Sequence, residues 1–291
     1  MKPQQIGAFT ISRVMEFEGP IFEPEFLFPD ADQATIEANG GWLLPSFIDP
    51  ASGRLIMSFH SYVVRTPRHT IVVDTCLGND KQRPAREDWH MREGSYLEDL
   101  LAMGVHPEEV DFVMCTHLHV DHVGWNTRLV DGRWTPTFPN ARYIFARTEL
   151  EHWQRVAAAD PGAEINHGSY QDSVLPVVEA NQVDLVSDDH QIEDGIWLEG
   201  APGHTPGNVM LRLRSQGEDA VLTGDTIQHP LQLARPDWSS RFCDDPDMSR
   251  ISRTALIEGA ADTPTLVLTG HFPEPVAGCI VRSGDAFRFQ Y

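Results

Sequence analysis

His117-Leu118-His119-Val120-Asp121-His122 gathers three imidazoles and a carboxylate in six residues. The apolar stretch before it, Val110-Asp111-Phe112-Val113-Met114-Cys115, reads as a buried strand, so the cluster falls where a strand opens into a loop. In extended backbone residues i and i+2 point the same way, so His117 and His119 can reach one ion. A tight turn after them lets Asp121 and His122 face a second point. Neutral imidazole and carboxylate suit borderline divalent metals, zinc above all. A lone pair of surface histidines is ordinarily a solvated polar loop, but that explanation fits HxHxDH behind an apolar strand poorly.

Three later segments carry the same chemistry one residue at a time. Ala201-Pro202-Gly203-His204-Thr205-Pro206-Gly207 sets His204 in a rigid turn, as a ligand that must not move requires. Val221-Leu222-Thr223-Gly224-Asp225-Thr226 is an apolar run ending in Gly-Asp, where a carboxylate can bridge two ions. Leu266-Val267-Leu268-Thr269-Gly270-His271 repeats the pattern with a histidine. Taken singly, each reads as a satisfied loop residue; in this order after HxHxDH, all three read as ligands. Each follows an apolar strand or sits in a glycine-rich turn, so they can converge on one sheet edge.

The elements that position these residues are read from periodicity. Residues 5–17 alternate as a strand, and 54–64 with 70–74 form a hairpin pair. Glu18 to Pro50 is rich in Pro, Phe and acid with little periodicity, an extension able to cover the core, wrap a partner or wall the site. Helices are expected over Gly94–Met103, from Thr148 to Ala159, over Ile165–Ala180 with a break near Pro176, and over Asp245–Gly259. Strands are expected at 183–186, 192–199, 208–214, 219–223, 265–269, 276–282 and 286–290. Strands in two groups with helices between them suggest two stacked sheets flanked by helices.

The chain has 291 residues, and its chemistry-bearing positions run from Asp74 to His271. A domain boundary among them would divide the set, so one domain over 1–291 is expected, with 1–50 as an N-terminal strand plus extension. The net charge of −21 argues against nucleic acid, whose phosphates need a basic footprint. No apolar run spans a bilayer and no charged leader with an apolar core is seen, so the expectation is a cytoplasmic protein without a membrane partner. The four cysteines are scattered and read as free thiols.

The series Asp74, His117/His119/Asp121/His122, His204, Asp225 and His271 resembles the motif series of the metallo-β-lactamase-fold hydrolases. Within that family the chain looks most similar to the lactonase and methyl-parathion-hydrolase-like branch, partly through Phe138-Pro139-Asn140-Ala141 and Thr148-Glu149. The resemblance implies an α/β fold, an αββα sandwich of two mixed sheets. It also implies two divalent ions, zinc foremost, with manganese, cobalt or iron acceptable to the same donors. His117, His119 and His204 would hold one ion, Asp121, His122 and His271 the other, and Asp225 would bridge them. Asp74 would tether the ligand loop, or else is an ordinary strand-end Asp forming a turn. The implied activity is hydrolysis of a small ester, lactone or organophosphate by a hydroxide bridging the ions, with Asp121 passing the proton. Alternatives within the resemblance are a β-lactamase-type amide hydrolase and a mononuclear, persulfide-dioxygenase-like iron oxidoreductase.

Related lactonases place a tyrosine three positions after the bridging Asp, where this chain has Gln228 followed by His229. His229 is therefore a catalytic candidate, donating to a developing oxyanion, or else a cap on the turn before Pro230. Trp125 reads as pocket wall or core, and Trp238, Arg241 and Phe242 as pocket wall or packed connector. The remaining histidines (60, 69, 90, 106, 152, 167 and 190) read as structural or surface, His60 being the foremost exception. Beyond a small-molecule substrate, the one partner considered is a second copy, joined through the extension in a homodimer.

Overall fold

A computed structural model describes residues 1–291, which divide into two compact units. One comprises Met1, Phe17–Ser58 and Asp188–Tyr291; the other comprises Lys2–Glu16 and Phe59–Ser187. The set of chemistry-bearing residues is split between them. Asp74 and the HxHxDH segment belong to the second unit, and His204, Asp225 and His271 to the first.

One seven-stranded sheet runs in the order Gln4–Ile6, Phe9–Phe22, Leu55–Arg65, Thr70–Val73, Phe112–Met114, Arg142–Ala146 and Val183–Val186. Its two longest strands contain the points where the chain passes from unit to unit. Leu55–Arg65 is buried along nearly its whole length, as a strand covered on both faces is, with Ser58, His60 and Ser61 the polar residues within it. Thr70–Val73 pairs in parallel with Phe112–Met114, with Val73 opposite Met114. Parallel neighbours end at the same sheet edge, so Asp74 and the chain leading to His117 emerge side by side. The core of this unit is a continuous cluster that includes Val63, Val72, Tyr96, Val113, Tyr143, Phe145 and Leu150.

The other seven-stranded sheet lies wholly in the first unit, in the order Gln191–Glu193, Ile196–Gly200, Val209–Ser215, Glu218–Leu222, Leu266–Leu268, Ala277–Ser283 and Ala286–Gln290. All its pairings are antiparallel except that of Glu218–Leu222 with Leu266–Leu268. There Leu222 stands opposite Leu268. Asp225 and His271 lie the same distance beyond those partners, so the one parallel pair delivers both to one edge. Around Phe47 this unit packs His229, Phe272 and Tyr291, each ring edge-on to it. With two large mixed sheets flanked by helices, the chain has the fold class expected from its sequence.

Four local expectations are corrected. The N-terminal strand is a hairpin, Gln4–Ile6 against a strand that runs on to Phe22. The extension holds an 11-residue helix, Gln33–Leu43, capped by Asp32, whose carboxylate accepts the Thr35 N–H at 2.7 Å. The segment after Gly124 contains an unexpected hairpin, Thr127–Val130 with Arg133–Pro136. Its turn is Asp131-Gly132, both at positive φ (49° and 76°), the two-residue turn whose twist matches the strands. Finally, the helix expected over 165–180 is broken into Ile165–Gly168, Tyr170–Val174 and Leu175–Glu179. Asn166 and His167 sit in left-handed backbone (φ 51° and 56°), which no right-handed helix can pass through.

Candidate metal centre

In the second unit, backbone pairing brings Asp74 against the ligand loop. Its carboxylate accepts the Thr116 N–H at 2.7 Å and the His122 Nδ1 hydrogen at 2.9 Å. The Thr116 hydroxyl also donates to Asp74, leaving a lone pair for His117 Nδ1 at 3.1 Å. The loop is clamped from its other side as well. Buried Glu149 accepts the Leu118 N–H at 2.9 Å and the Trp153 indole N–H at 2.8 Å. The Asn166 amide donates to Leu118 O at 2.7 Å and accepts the Val120 N–H, so it brackets His119. Downstream, Gly124 passes so close to the 75–78 segment that a Cβ there would lie 1.9 Å from the Leu77 carbonyl carbon. Only glycine fits, and the contact fixes where the HxHxDH turn ends.

The result is a set of imidazoles with assigned edges. His117 Nε2 and His119 Nδ1 are 3.1 Å apart, and the His117 and His122 rings are 4.1 Å apart between centroids. Two nitrogens on one tetrahedral zinc ion at ordinary bond lengths stand about 3.3 Å apart, so this spacing suits a shared ion. His117 and His122 are buried, whereas His119 and Asp121 are half-buried, with Asp121 Oδ2 3.8 Å from His122 Nε2.

The first unit builds its part from isolated residues. His204 sits on a turn laid against the start of the helix Pro246–Ala260, with Asp244 N–H donating to His204 O and Asp245 N–H to Gly203 O. Gly203 has φ +124°, and a Cβ on it would lie 2.0 Å from Ser249 N, so no side chain fits there. The Cys243 thiol points its hydrogen at Ser249 Oγ and its sulfur lies 3.6 Å from His204 Nδ1. His271 Nδ1 lies 3.0 Å from Ser58 O. That leaves His204 Nε2 3.2 Å from one oxygen of Asp225 and His271 Nε2 3.1 Å from the other. All three side chains are buried.

The donor chemistry fits divalent metal. Nitrogen and oxygen are the only donors, and His117, His122, His204 and His271 each have Nδ1 engaged, which makes Nε2 the nitrogen that could meet an ion. Asp225 offers its two oxygens to two different imidazoles, the arrangement a bridging carboxylate needs.

Gln228 lies 4% exposed and donates Nε2 to Asp225 Oδ2 at 2.8 Å. A carboxylate only accepts, so the amide must turn its NH2 to Asp225. Gln232 holds Gln228 in turn, its Oε1 accepting the Gln228 N–H and its Nε2 donating to Trp238 O. His229 takes the capping role named for it above: Nε2 lies 2.9 Å from Phe47 O, and Nδ1 accepts the Leu231 N–H. With both nitrogens used and the ring fully buried, no donor remains for an oxyanion. Desolvation lowers its pKa to about 4, so it stays neutral. Trp125 stacks on Tyr96 and donates to Glu16, so it is core, and Trp238 is fully buried. Phe242 and Arg241 pack on Phe26, within the first unit's surface. His60 is buried edge-on to Tyr62. Glu149 and Asn166, which clamp the loop through its backbone, are the site-positioning residues that sequence reasoning missed. A glutamate in the first turn of a helix and an asparagine in a loop carry no pattern that separates them from ordinary caps.

The family profile described as Metallo-beta-lactamase superfamily matches residues 60–271. Among characterised relatives, an N-acyl homoserine lactonase of Bacillus cereus is 23% identical over 236 residues, covering 76% of this chain and 83% of the relative. One from Bacillus thuringiensis is 24% identical over 65% of this chain and 66% of its own length, so the chain spans just under two thirds of that relative. Among solved structures, the hydrolase AbOPH aligns with a TM-score of 0.81 at 23% identity, over 99% of this chain and 96% of that one. AidC, a dizinc quorum-quenching lactonase in complex with a product, aligns with a TM-score of 0.78 at 20% identity, with the same coverage. These likenesses establish the shared fold, and the profile spanning the whole ligand series establishes the family: the chain belongs to the metallo-β-lactamase superfamily, and the relatives it matches are lactonases and metallo-hydrolases.

Proposed function

We propose that this protein is a dinuclear metal-dependent hydrolase of a small ester, lactone or organophosphate. The observation that carries the proposal is Asp225, whose two oxygens face His204 Nε2 and His271 Nε2 separately at 3.2 and 3.1 Å. A carboxylate so placed serves two ions, and HxHxDH supplies the remaining donors. His117, His119 and His204 are assigned to one ion, and Asp121, His122 and His271 to the other. Held there, two divalent ions, zinc foremost, supply Lewis-acid polarisation and lower the pKa of water. Zinc is favoured by the all-nitrogen-and-oxygen donor set and by the dizinc lactonase of similar fold.

The protein's own residues do the rest. Asp74, Glu149 and Asn166 keep the ligand loop from moving as charge develops. Asp121, half-buried where water can reach it, takes the proton of the attacking water and returns it to the leaving oxygen. Gln228 faces Asp225 and does not stand in for the tyrosine of related lactonases, so an ester or phosphotriester suits this chain as well as a lactone.

A pH-stat assay on metal-replete protein tests the proposal, with simple lactones, acyl-homoserine lactones, aryl esters, phosphotriesters and a β-lactam as substrates. Chelator-sensitive acid release from an ester, lactone or phosphotriester is the expected outcome. Turnover of the β-lactam alone, or oxygen uptake with a persulfide in iron-loaded protein and no acid release, would replace this function with another.

A further inference from the structure

Beside the ligand loop the second unit holds a histidine that neither the motif series nor the assignment above uses. Asn166, His167 and Gly168 form three successive left-handed residues, with φ of 51°, 56° and 84°. Glycine takes that backbone readily and asparagine tolerates it, but histidine does so at a cost. The surroundings hold the turn in place. The Asn166 amide is fastened to Leu118 O and Val120 N on either side of His119, and the Ser169 hydroxyl donates to Asn166 O at 2.8 Å. Behind it Arg83 makes a two-pronged pair with Asp172, at 2.6 and 2.9 Å. Strained backbone braced in this way is characteristic of positions that must aim a side chain.

The side chain it aims is exposed, so a small molecule can reach it. Its ring stands edge-on to Trp89 at 5.8 Å, and the Arg86 guanidinium covers that indole at 4.3 Å. Its neighbour Asn166 is bonded to Leu118 O and Val120 N, which sets the turn against the backbone on either side of His119. Burial of part of the ring and the Arg83 and Arg86 guanidiniums lower its pKa, keeping the imidazole neutral, with one N–H to donate. Arg83 is itself fully buried and committed to Asp172, so it contributes field and no contact.

We propose that His167 is a substrate-contacting, specificity-determining residue, donating a hydrogen bond to a carbonyl or phosphoryl oxygen of the bound substrate. The proposal deepens the hydrolase function above and rests on it. No bond to carbon or phosphorus is made by His167; it holds an oxygen acceptor beside the HxHxDH loop that Asn166 brackets.

The test exploits the backbone. His167→Gly removes the ring while suiting the left-handed turn better than histidine does, so the variant keeps its fold. Expected are a 10- to 100-fold loss of kcat/KM on whichever ester, lactone or phosphotriester the wild type turns over, unchanged metal content and an unchanged or higher Tm, the fold-loss being roughly one good hydrogen bond. His167→Asn, which tolerates the turn and keeps an N–H donor, recovers part of the loss. Unaltered kcat/KM in His167→Gly overturns the proposal. A second measurement is independent of turnover. The His167 ring resonances, identified by their absence in His167→Gly, are followed in metal-replete wild type as butyrate and then diethyl phosphate are added. A saturable shift with either probe supports substrate contact even if the hydrolase panel is silent. No shift with either, alongside active wild type, overturns it.

Discussion

The two units supply their candidate ligands in opposite styles. The second unit packs four of them into six consecutive residues and clamps the loop by its backbone, through Asp74 on Thr116, Glu149 on Leu118, and Asn166 on Leu118 and Val120. The first unit takes one residue each from three distant turns and fixes each side chain separately: the Cys243 thiol on His204, the Gln228 amide on Asp225 and the Ser58 backbone carbonyl on His271. A contiguous loop can be fixed as a body by a few backbone bonds. Dispersed ligands must each be fixed separately, and here the one parallel strand pair does the coarse work by ending Leu222 and Leu268 at the same edge.

If that contrast is right, Asp225→Ala is the largest single insult, because one dispersed residue serves two imidazoles. Metal content measured by mass spectrometry should fall below two ions per chain, and hydrolysis should drop by about 10³-fold, several kcal/mol of barrier. Retention of two tightly held ions with full activity would mean that the first unit's ligands are not organised around Asp225.

Legibility in the sequence followed the same divide. The compact motif could be read outright, because spacing in a loop is spacing in space. His204, Asp225 and His271 were legible only through their order and their strand-end contexts. Most strands of the first unit's sheet were also readable to within a residue or two, as in 286–290 and 209–215, but 192–199, expected as one strand, is a hairpin of Gln191–Glu193 and Ile196–Gly200 turning at Asp194-Gly195. What stayed hidden depended on contacts distant in sequence. Glu149 and Asn166 matter because of what they reach, and Asn166-His167 looks helical until its backbone turns left-handed. The Asp131-Gly132 hairpin was a different failure, for its turn signal was present and passed over.

Acid titration sharpens the comparison through one buried base in each unit. His229 in the first unit has its pKa lowered from 6.5 to about 4 by burial. Above pH 6.5 it costs nothing. As pH falls the unfolded chain takes a proton that the folded chain refuses, and stability is lost down to about pH 4. The shift corresponds to roughly 3 kcal/mol. Lys81 in the second unit, desolvated over the Trp134 ring, has its pKa lowered to about 7. Its penalty is full below that value and fades as pH rises toward 10.5, so the two bases act in separate windows. Urea unfolding of His229→Gln should lack the extra acid loss between pH 6.5 and 4, while Lys81→Met should flatten the rise above pH 7. A His229→Gln variant with the wild-type acid slope would refute the assignment.

The smallest effect is also the most discriminating, because it sets one tether against another. Asp74→Ala releases Thr116 and His122 together, whereas Gln228→Leu releases only Asp225. Removing a partner that orients a ligand commonly costs about 10- to 100-fold in metal affinity. A backbone-clamped loop keeps Glu149 and Asn166 after Asp74 is lost, so Asp74→Ala belongs at the low end of that range. Asp225 loses its side-chain donor when Gln228 goes, which puts Gln228→Leu at the high end despite fewer broken bonds. Competition with a chromophoric chelator measures both affinities directly. Kinetics on the same samples separate tethering from substrate contact: a tether lowers kcat and leaves KM nearly unchanged, whereas a residue touching substrate raises KM. A raised KM with unchanged metal affinity in Gln228→Leu would assign Gln228 to the substrate, like the tyrosine of related lactonases, and would leave Asp225 held by its histidines alone.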